Sequence, residues 1–111
     1  VVTPELIRKM ATNQLAGDIA SLLPEGPEGF REWMPFEGLG MGLGVWVAQD
    51  SSRLAWNSTP GEFGGGGIAN TVFWIDPVSD SSVLFFTQVM PSSQLGLRVA
   101  LHRFAAEILH R

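Results

Sequence analysis

The pattern of apolar and polar positions divides the chain into an opening helix, three strands and a closing helix. The first helix is indicated by Thr3, Pro4 and Glu5, because threonine caps helices, proline suits the first helical position and glutamate complements the helix dipole. Apolar side chains then share one face of this predicted helix: Leu6, Ile7 and Met10.

Three stretches in the middle of the chain have the composition of β-strands. Residues 42–49 alternate valine with tryptophan and alanine, which is typical of a half-buried strand. In residues 68–75, successive side chains would likewise point to opposite faces of a strand. Residues 82–89 are almost continuously apolar, which predicts a central strand covered on both faces. Between the last two stretches, DPVSDSS has the aspartate, proline and serine of a loop that joins antiparallel neighbours. The pattern therefore predicts a three-stranded antiparallel meander.

The last part of the chain repeats apolar side chains at helical spacing over residues 97–109, with Ser92 or Ser93 as the cap. We expect this helix to pack on the sheet. His102 and His110 lie farther apart on it than the adjacent-turn spacing at which two imidazoles share a metal ion. Solvated histidines near the C-terminal end of the helix dipole are therefore expected, and no metal site.

Prolines, glycines and acids dominate residues 17–40, which we interpret as a long loop. Paired carboxylates can carry out general acid/base chemistry, but that chemistry depends on an apolar neighbourhood, which this polar stretch does not offer. A solvated loop is the favoured interpretation of its glutamates: Glu25, Glu28, Glu32 and Glu37.

Glycine occupies every second position of GLGMGLG, residues 38–44. This spacing fits neither the dinucleotide-binding fingerprint nor the phosphate-binding loop with its lysine and hydroxyl residue. It favours instead a flexible approach to a strand or a close backbone contact.

Composition narrows the class of protein. A chain of 111 residues, 45% apolar and only 16% charged, holds one domain at most and is expected to place some apolar surface against a partner. A net charge of −4 with dispersed basic residues argues against nucleic acid as a ligand. No stretch resembles a signal peptide or a membrane span, so we expect a soluble chain, cytoplasmic by default. Because cysteine is absent, the sequence does not indicate the redox compartment of the protein.

The glycine-rich segment before the second predicted strand points to a family. The order MATNQLAGDIASL, GLGMGLGVWVAQD, GEFGGGGIANTVFWIDP, FFTQVMPSS and a closing helix resembles the C-terminal part of class C β-lactamase-like serine hydrolases, which include penicillin-binding-protein-related esterases. The resemblance runs from about Thr3 to the end of the chain. It implies an α/β fold of the α+β type, of which residues 1–111 form the C-terminal segment, and it implies no metal and no organic cofactor.

The resemblance also implies roles for particular residues. In this family Ser-x-x-Lys supplies nucleophile and base, Tyr-x-Asn assists proton transfer, and a third box lies on a strand beside the pocket. Gly65, Gly66 and Gly67 look like that third box, where substrate lies against bare backbone, and Ile68 resembles the residue whose backbone N–H forms half of the oxyanion hole. The first box position is usually Lys, His or Trp, so a side-chain contact of the family is missing at Gly65.

The remaining machinery does not occur in the sequence. No serine is followed by lysine three positions later, Lys9 is the only lysine, and the chain has no tyrosine. The resemblance therefore implies that an N-terminal segment outside this chain carries the nucleophile, and that the complete protein acts on ester or lactam substrates through an acyl-enzyme.

A competing hypothesis is a non-catalytic interaction module that associates with itself or another chain through a sheet edge or an exposed apolar face. The tryptophans would then be contact anchors. We favour core or loop packing for most of them: Trp33, Trp46, Trp56 and Trp74.

Overall fold

The protein has an α+β fold in which an antiparallel sheet is flanked by helices. The computed structural model describes residues 1–22, 36–90 and 96–109. Its helices are α1 (Pro4–Met10), α2 (Ile19–Leu22) and α3 (Leu97–Leu109), with a 3₁₀ turn at Ser51–Arg53. Its strands are β1 (Leu39–Met41), β2 (Trp46–Ala48), β3 (Phe63–Gly66), β4 (Val72–Asp76) and β5 (Ser81–Phe85).

The sheet of the described residues has five strands in the order β1-β2-β3-β4-β5, and each pair of neighbours is antiparallel. The prediction of three strands is therefore wrong. The additional strands are β1, with the sequence LGM, and β3, with the sequence FGGG. Glycine has a low strand propensity, so these segments carry no strand signal of their own. They are extended because the apolar strands β2 and β4 pair with them.

The three predicted strands are present but shorter than expected. β2 covers only residues 46–48, β4 begins at Val72 because residues 68–70 form a turn, and β5 ends at Phe85. The predicted loop between β4 and β5 is confirmed. Asp76 organises it by accepting hydrogen bonds from the N–H groups of Val78 and Ser79 at 2.9 and 3.3 Å.

β5 is an edge strand, so its predicted central position is wrong. In the part of the chain that the structure describes, it pairs with β4 alone. Leu84 is 62% exposed, and Phe86, two residues farther along the chain and just past the end of β5, is 76% exposed. The continuous apolar run arises because β5 presents apolar side chains to both faces, while the helices cover only one of them.

The two faces of the sheet are distinguished most clearly along β4, where Val72, Trp74 and Asp76 are buried and Phe73 and Ile75 are exposed. Helix α3 packs on the buried face, which confirms the predicted packing on the sheet. Two positions of its apolar spacing nevertheless stay exposed, Phe104 at 61% and Ile108 at 50%. Among the described residues, little covers the opposite side of β3, β4 and β5. We call it the bare face, and its members are Gly65, Phe73, Ile75, Leu84 and Phe86.

The opening helix is confirmed, with the Thr3 hydroxyl accepting a hydrogen bond from the N–H of Leu6 at 3.3 Å. Its apolar side chains remain exposed.

The glycine-rich residues 38–44 make the close backbone contact expected of them, because a Cβ at Gly42 would collide with the carbonyl oxygen of Met10. The segment after α1 thus lies directly against the β1–β2 end of the sheet.

The expected loop over residues 17–40 contains α2 near its start and β1 at its end, so that prediction is wrong for the described residues. Asp18 joins the two parts, since its carboxylate accepts hydrogen bonds from the N–H groups of Ser21 and Gly38. These bonds hold the pKa of Asp18 below its ordinary value. Several residues named above lie outside the described ranges: Glu25, Glu28, Glu32, Trp33, Ser92, Ser93 and His110.

Candidate functional site

The residues assigned to the third box and the oxyanion hole lie together on the β3–β4 hairpin. Gly65 and Gly66 end β3, and Gly67 and Ile68 begin the connection to β4. The Ile68 side chain is 53% exposed. This position therefore contributes its backbone to the hairpin rather than a packed side chain.

The connection is a tight hairpin loop. The N–H of Gly67 donates to the carbonyl of Thr71 at 2.9 Å, and the N–H of Asn70 donates back to the carbonyl of Gly67 at 3.1 Å. Asn70 has a φ of 65°, the left-handed conformation that ends such loops, and its side-chain amide donates to the carbonyl of Val89. Within the described residues, the N–H groups of Ile68 and Ala69, the two central residues of this turn, have no acceptor. A fixed loop thus presents free backbone donors, of which that of Ile68 directly follows the glycines.

The three glycines of the box have different surroundings. A Cβ at Gly65 would lie 3.0 Å from the ring of Phe73, and a Cβ at Gly66 would lie 2.9 Å from Nη2 of Arg98. A Cβ at Gly67 would meet no described atom within 4 Å. Gly67, immediately before Ile68, is therefore the glycine of the three whose backbone is open on the described surface.

An open groove of about 360 Å³ starts at these glycines and follows the outer part of β4 and β5. Its single hydroxyl belongs to Thr71, which donates to the carbonyl of Thr87 at 3.4 Å. No titratable side chain lines the groove in the described part of the chain, so it offers apolar surface and backbone donors rather than a nucleophile. The lining residues are Gly66, Gly67, Thr71, Val72, Phe73, Leu84 and Phe86.

A buried polar cluster lies under α3 and was not expected from the sequence. His102 is only 4% exposed, and its ring stacks on Trp74 and Trp56 with centroid distances of 3.8 and 4.4 Å. Its Nδ1 donates to the carbonyl of Arg98 at 2.9 Å, and its Nε2 lies 3.2 Å from Oε1 of Glu62. The prediction of a solvated histidine is therefore wrong for His102.

The physical reason is that every polar atom of the buried His102 ring has a partner. A carbonyl oxygen only accepts, so Nδ1 carries a proton, and a second proton lies between Nε2 and the Glu62 carboxyl group. The sequence held one clue, since position 102 lies three residues before Ala105, which belongs to the apolar spacing of the helix and is buried in the structure.

Three of the tryptophans are core residues, which confirms the packing interpretation for them: Trp46, Trp56 and Trp74 are 4%, 4% and 3% exposed. They surround His102 together, since the Trp46 ring also lies 6.2 Å from the imidazole between centroids. These side chains are therefore unavailable as contact anchors on the surface.

Asp76 is a structural carboxylate at the other end of β4. Burial raises its pKa, but this effect is outweighed by hydrogen bonds from the Ser79 hydroxyl, from the N–H groups of Val78 and Ser79, and from the Thr59 hydroxyl. The pKa of Asp76 therefore lies below its ordinary value. Its contacts hold the β4–β5 turn and do not reach the groove.

Comparisons with known proteins add no assignment: no family model matches the chain, and no curated protein is significantly similar to it. Within residues 1–22, 36–90 and 96–109, no group of three His, Cys, Asp or Glu side chains is arranged to hold a metal ion. No helix in these ranges has the length and apolar character needed to cross a membrane. The β3–β4 hairpin is therefore the part of the molecule from which a function is inferred.

Proposed function

We propose that this chain is the C-terminal part of a class C β-lactamase-like serine hydrolase, in which the N–H of Ile68 is one of the two oxyanion-hole donors. The observation that carries the proposal is the free N–H of Ile68 on a loop fixed by the two hydrogen bonds of Gly67. A backbone donor that is oriented before substrate arrives stabilises developing negative charge without reorganising during the reaction.

The surroundings of this donor suit an acyl substrate. Gly67 exposes its backbone beside the Ile68 N–H, and the groove along β4 and β5 supplies apolar surface from Phe73 and Leu84. An ester or lactam could place its carbonyl oxygen at the donor and its acyl side chain in the groove. The groove requires no metal or organic cofactor for this role.

The proposed reaction takes its nucleophile from an N-terminal segment that carries Ser-x-x-Lys and Tyr-x-Asn. The serine oxygen attacks the substrate carbonyl carbon while its proton passes to the base, and the resulting oxyanion accepts hydrogen bonds from the serine N–H and the Ile68 N–H. Collapse of the tetrahedral intermediate breaks the C–O bond of an ester and releases the alcohol, or breaks the C–N bond of a lactam and opens its ring, and the base returns its proton to the leaving oxygen or nitrogen. Water then hydrolyses the acyl-enzyme.

A self-associating interaction module is the second candidate, and the bare face favours it. Four large apolar side chains are exposed there, and β5 leaves a strand edge unpaired within the described residues. Contiguous apolar surface of this kind marks a contact site. In the hydrolase, the N-terminal segment would cover the part of this surface that the substrate groove leaves free; in the module, another protein chain would cover it.

The reading frame upstream of the Val1 codon discriminates between the two candidates. If the chain is part of a hydrolase, this upstream frame should encode Ser-x-x-Lys and Tyr-x-Asn, whereas a start codon at this point would favour the module.

A biochemical test uses one chromogenic ester and one chromogenic lactam. The chain alone should hydrolyse neither, and turnover should begin when the missing segment is supplied by fusion or as a second chain. Turnover by the chain alone that persists through repurification would contradict the proposal.

A further inference from the structure

Arg98 connects the closing helix to the β3–β4 hairpin. Its Nη2 donates to the carbonyl of Gly67 at 2.9 Å, across 31 positions of sequence. The side chain is partly buried, and desolvation lowers its pKa, although an arginine remains charged throughout the physiological range. A charged donor therefore holds the hairpin at the residue that precedes Ile68.

The carbonyl bound by Arg98 belongs to the same peptide unit as the N–H of Ile68. A peptide unit is planar and trans, so its C=O and N–H point in opposite directions. When Arg98 and the N–H of Asn70 both bind the Gly67 oxygen, they also fix the direction of the Ile68 N–H. That direction is away from the guanidinium.

A glycine at position 66 makes this contact possible. A Cβ there would lie 2.9 Å from Nη2 and 3.0 Å from Cζ of Arg98, and also 3.0 Å from the carbonyl oxygen of Thr71. These distances are shorter than ordinary van der Waals contact, and the guanidinium, at the end of a flexible side chain, is the group that would move away from the hairpin. Gly66 thus leaves room for the arginine, while Gly67 keeps the open backbone.

The contact also acts on the strength of the donor. A hydrogen bond from a charged group is stronger than a neutral one, and bonds that share a peptide unit polarise one another. Positive charge at the Gly67 oxygen draws electron density from the peptide and makes the Ile68 N–H a better donor.

We propose that Arg98 is a positioning residue for the oxyanion hole: by binding the Gly67 carbonyl, it orients and polarises the peptide that presents the Ile68 N–H. This inference rests on the proposed hydrolase function for its catalytic consequence. Its structural part, the immobilisation of the Gly67–Ile68 peptide, concerns this chain alone and is measured without substrate.

The first measurement is the ¹⁵N order parameter of the Ile68 amide in the chain itself. We expect a value near the rigid range of about 0.85 for the parent, and a decrease towards about 0.6 in Arg98→Met. Arg103→Met, an exposed arginine on the same helix, is the matched control and should leave the value unchanged. If Arg98→Met fails to fold, Gly66→Ala replaces it, because the added Cβ displaces the guanidinium without removing it. A parent-like order parameter for Ile68 in the folded variant overturns the inference.

The second measurement uses the protein completed with its N-terminal segment. Arg98→Met should lower kcat by about 10- to 100-fold with little change in KM, because the oxyanion forms only after binding. Arg98→Lys should restore part of the loss, since an ammonium group also donates to a carbonyl. An unchanged kcat in Arg98→Met would overturn the catalytic role. If instead Ile68→Pro is as active as the parent, the proposed function itself fails, while the order parameter still decides whether Arg98 holds the peptide.

Discussion

The imidazole of His102 lies flat on the indole of Trp74, with ring centroids 3.8 Å apart and planes inclined by 16°. Trp74 belongs to β4, which pairs with both β3 and β5. The contact therefore joins α3 to an interior strand of the sheet, on the opposite side from the bare face. The same ring is bound to Glu62, the residue immediately before β3.

Substitution of His102 should destabilise the fold strongly. His102→Ala removes the ring from between the indoles and leaves the buried Glu62 carboxylate without its partner, a change that costs about 3–5 kcal/mol in the free energy of unfolding. Urea denaturation measures the cost. Arg103→Ala, on the exposed side of α3, is the control and should change stability by less than about 0.5 kcal/mol.

A double variant separates the pair from the packing. His102→Phe combined with Glu62→Leu keeps aromatic and apolar volume and removes both polar groups, so it should recover most of the stability that His102→Ala loses. A double variant no more stable than His102→Ala would contradict this account of the buried pair.

The sequence predicts those elements whose signal is local. The Thr3 cap and the apolar spacing over residues 97–109 place both terminal helices correctly. β1 and β3 could not be recognised, because Gly40 and Gly64 to Gly66 have no strand preference and are extended only by their partners. Likewise, the single polar position His102 resembles a surface residue until three indoles from distant segments enclose it.

In the candidate site, too, the sequence indicates only what is local. The glycines 65–67 and Ile68 are suggested by their resemblance to a family motif, and they lie on one hairpin in the structure. Arg98 could not be associated with them, since it lies 31 positions from Gly67 and meets it only when α3 packs on the sheet.

The glycines of the hairpin should respond unequally to alanine. A Cβ at Gly64 would collide with the carbonyl oxygen of Phe73 and lie 2.7 Å from the Trp46 ring, whereas a Cβ at Gly67 would meet nothing within 4 Å. We expect Gly64→Ala to lower the free energy of unfolding by about 2 kcal/mol or more, and Gly67→Ala to change it by less than about 0.5 kcal/mol. Thermal denaturation of the two variants checks which is less stable. Equal melting temperatures would show that β3 and β4 do not approach each other closely at Gly64.

Stability should fall in acid because of Asp76. Its pKa is lowered in the folded protein, so the folded state releases this proton more readily than the unfolded chain, whose Asp pKa is about 3.9. The resulting stabilisation is fully present above that value and is lost as pH falls through the lower folded pKa. At about pH 7, the free energy of unfolding of Asp76→Asn should therefore be lower than that of the parent by about 1–2 kcal/mol. This difference should shrink as the pH falls towards about 2.

Urea unfolding at several pH values measures this difference. Asp80→Asn is the control, because Asp80 lies in the same turn with a φ of 50° that asparagine also tolerates. A constant gap between Asp76→Asn and the parent across the acid range would refute the assignment of acid lability to Asp76.

The chain by itself should associate through the bare face. Leu84 and Phe86 are 62% and 76% exposed beside the edge of β5 that no other described strand pairs with. Contiguous apolar surface of this kind drives self-contact in water. Leu84→Lys should shift the chain towards monomer in light scattering. Val78→Lys, which is equally exposed but lies in the β4–β5 turn, should not. A monomeric parent at high micromolar concentration would count against this prediction.

The central claim is that the Ile68 N–H binds the oxyanion, and the most direct measurement is kcat of Ile68→Pro against Ile68→Ala in the protein completed with its Ser-x-x-Lys segment. Proline suits this position, because Ile68 is the second residue of the turn closed by the Gly67 and Asn70 hydrogen bond. The substitution therefore removes the donor with little expected change in circular dichroism or melting temperature. We expect Ile68→Ala to retain most activity and Ile68→Pro to lose about 10²- to 10³-fold in kcat. A folded Ile68→Pro enzyme that turns over substrate as fast as Ile68→Ala would contradict the claim.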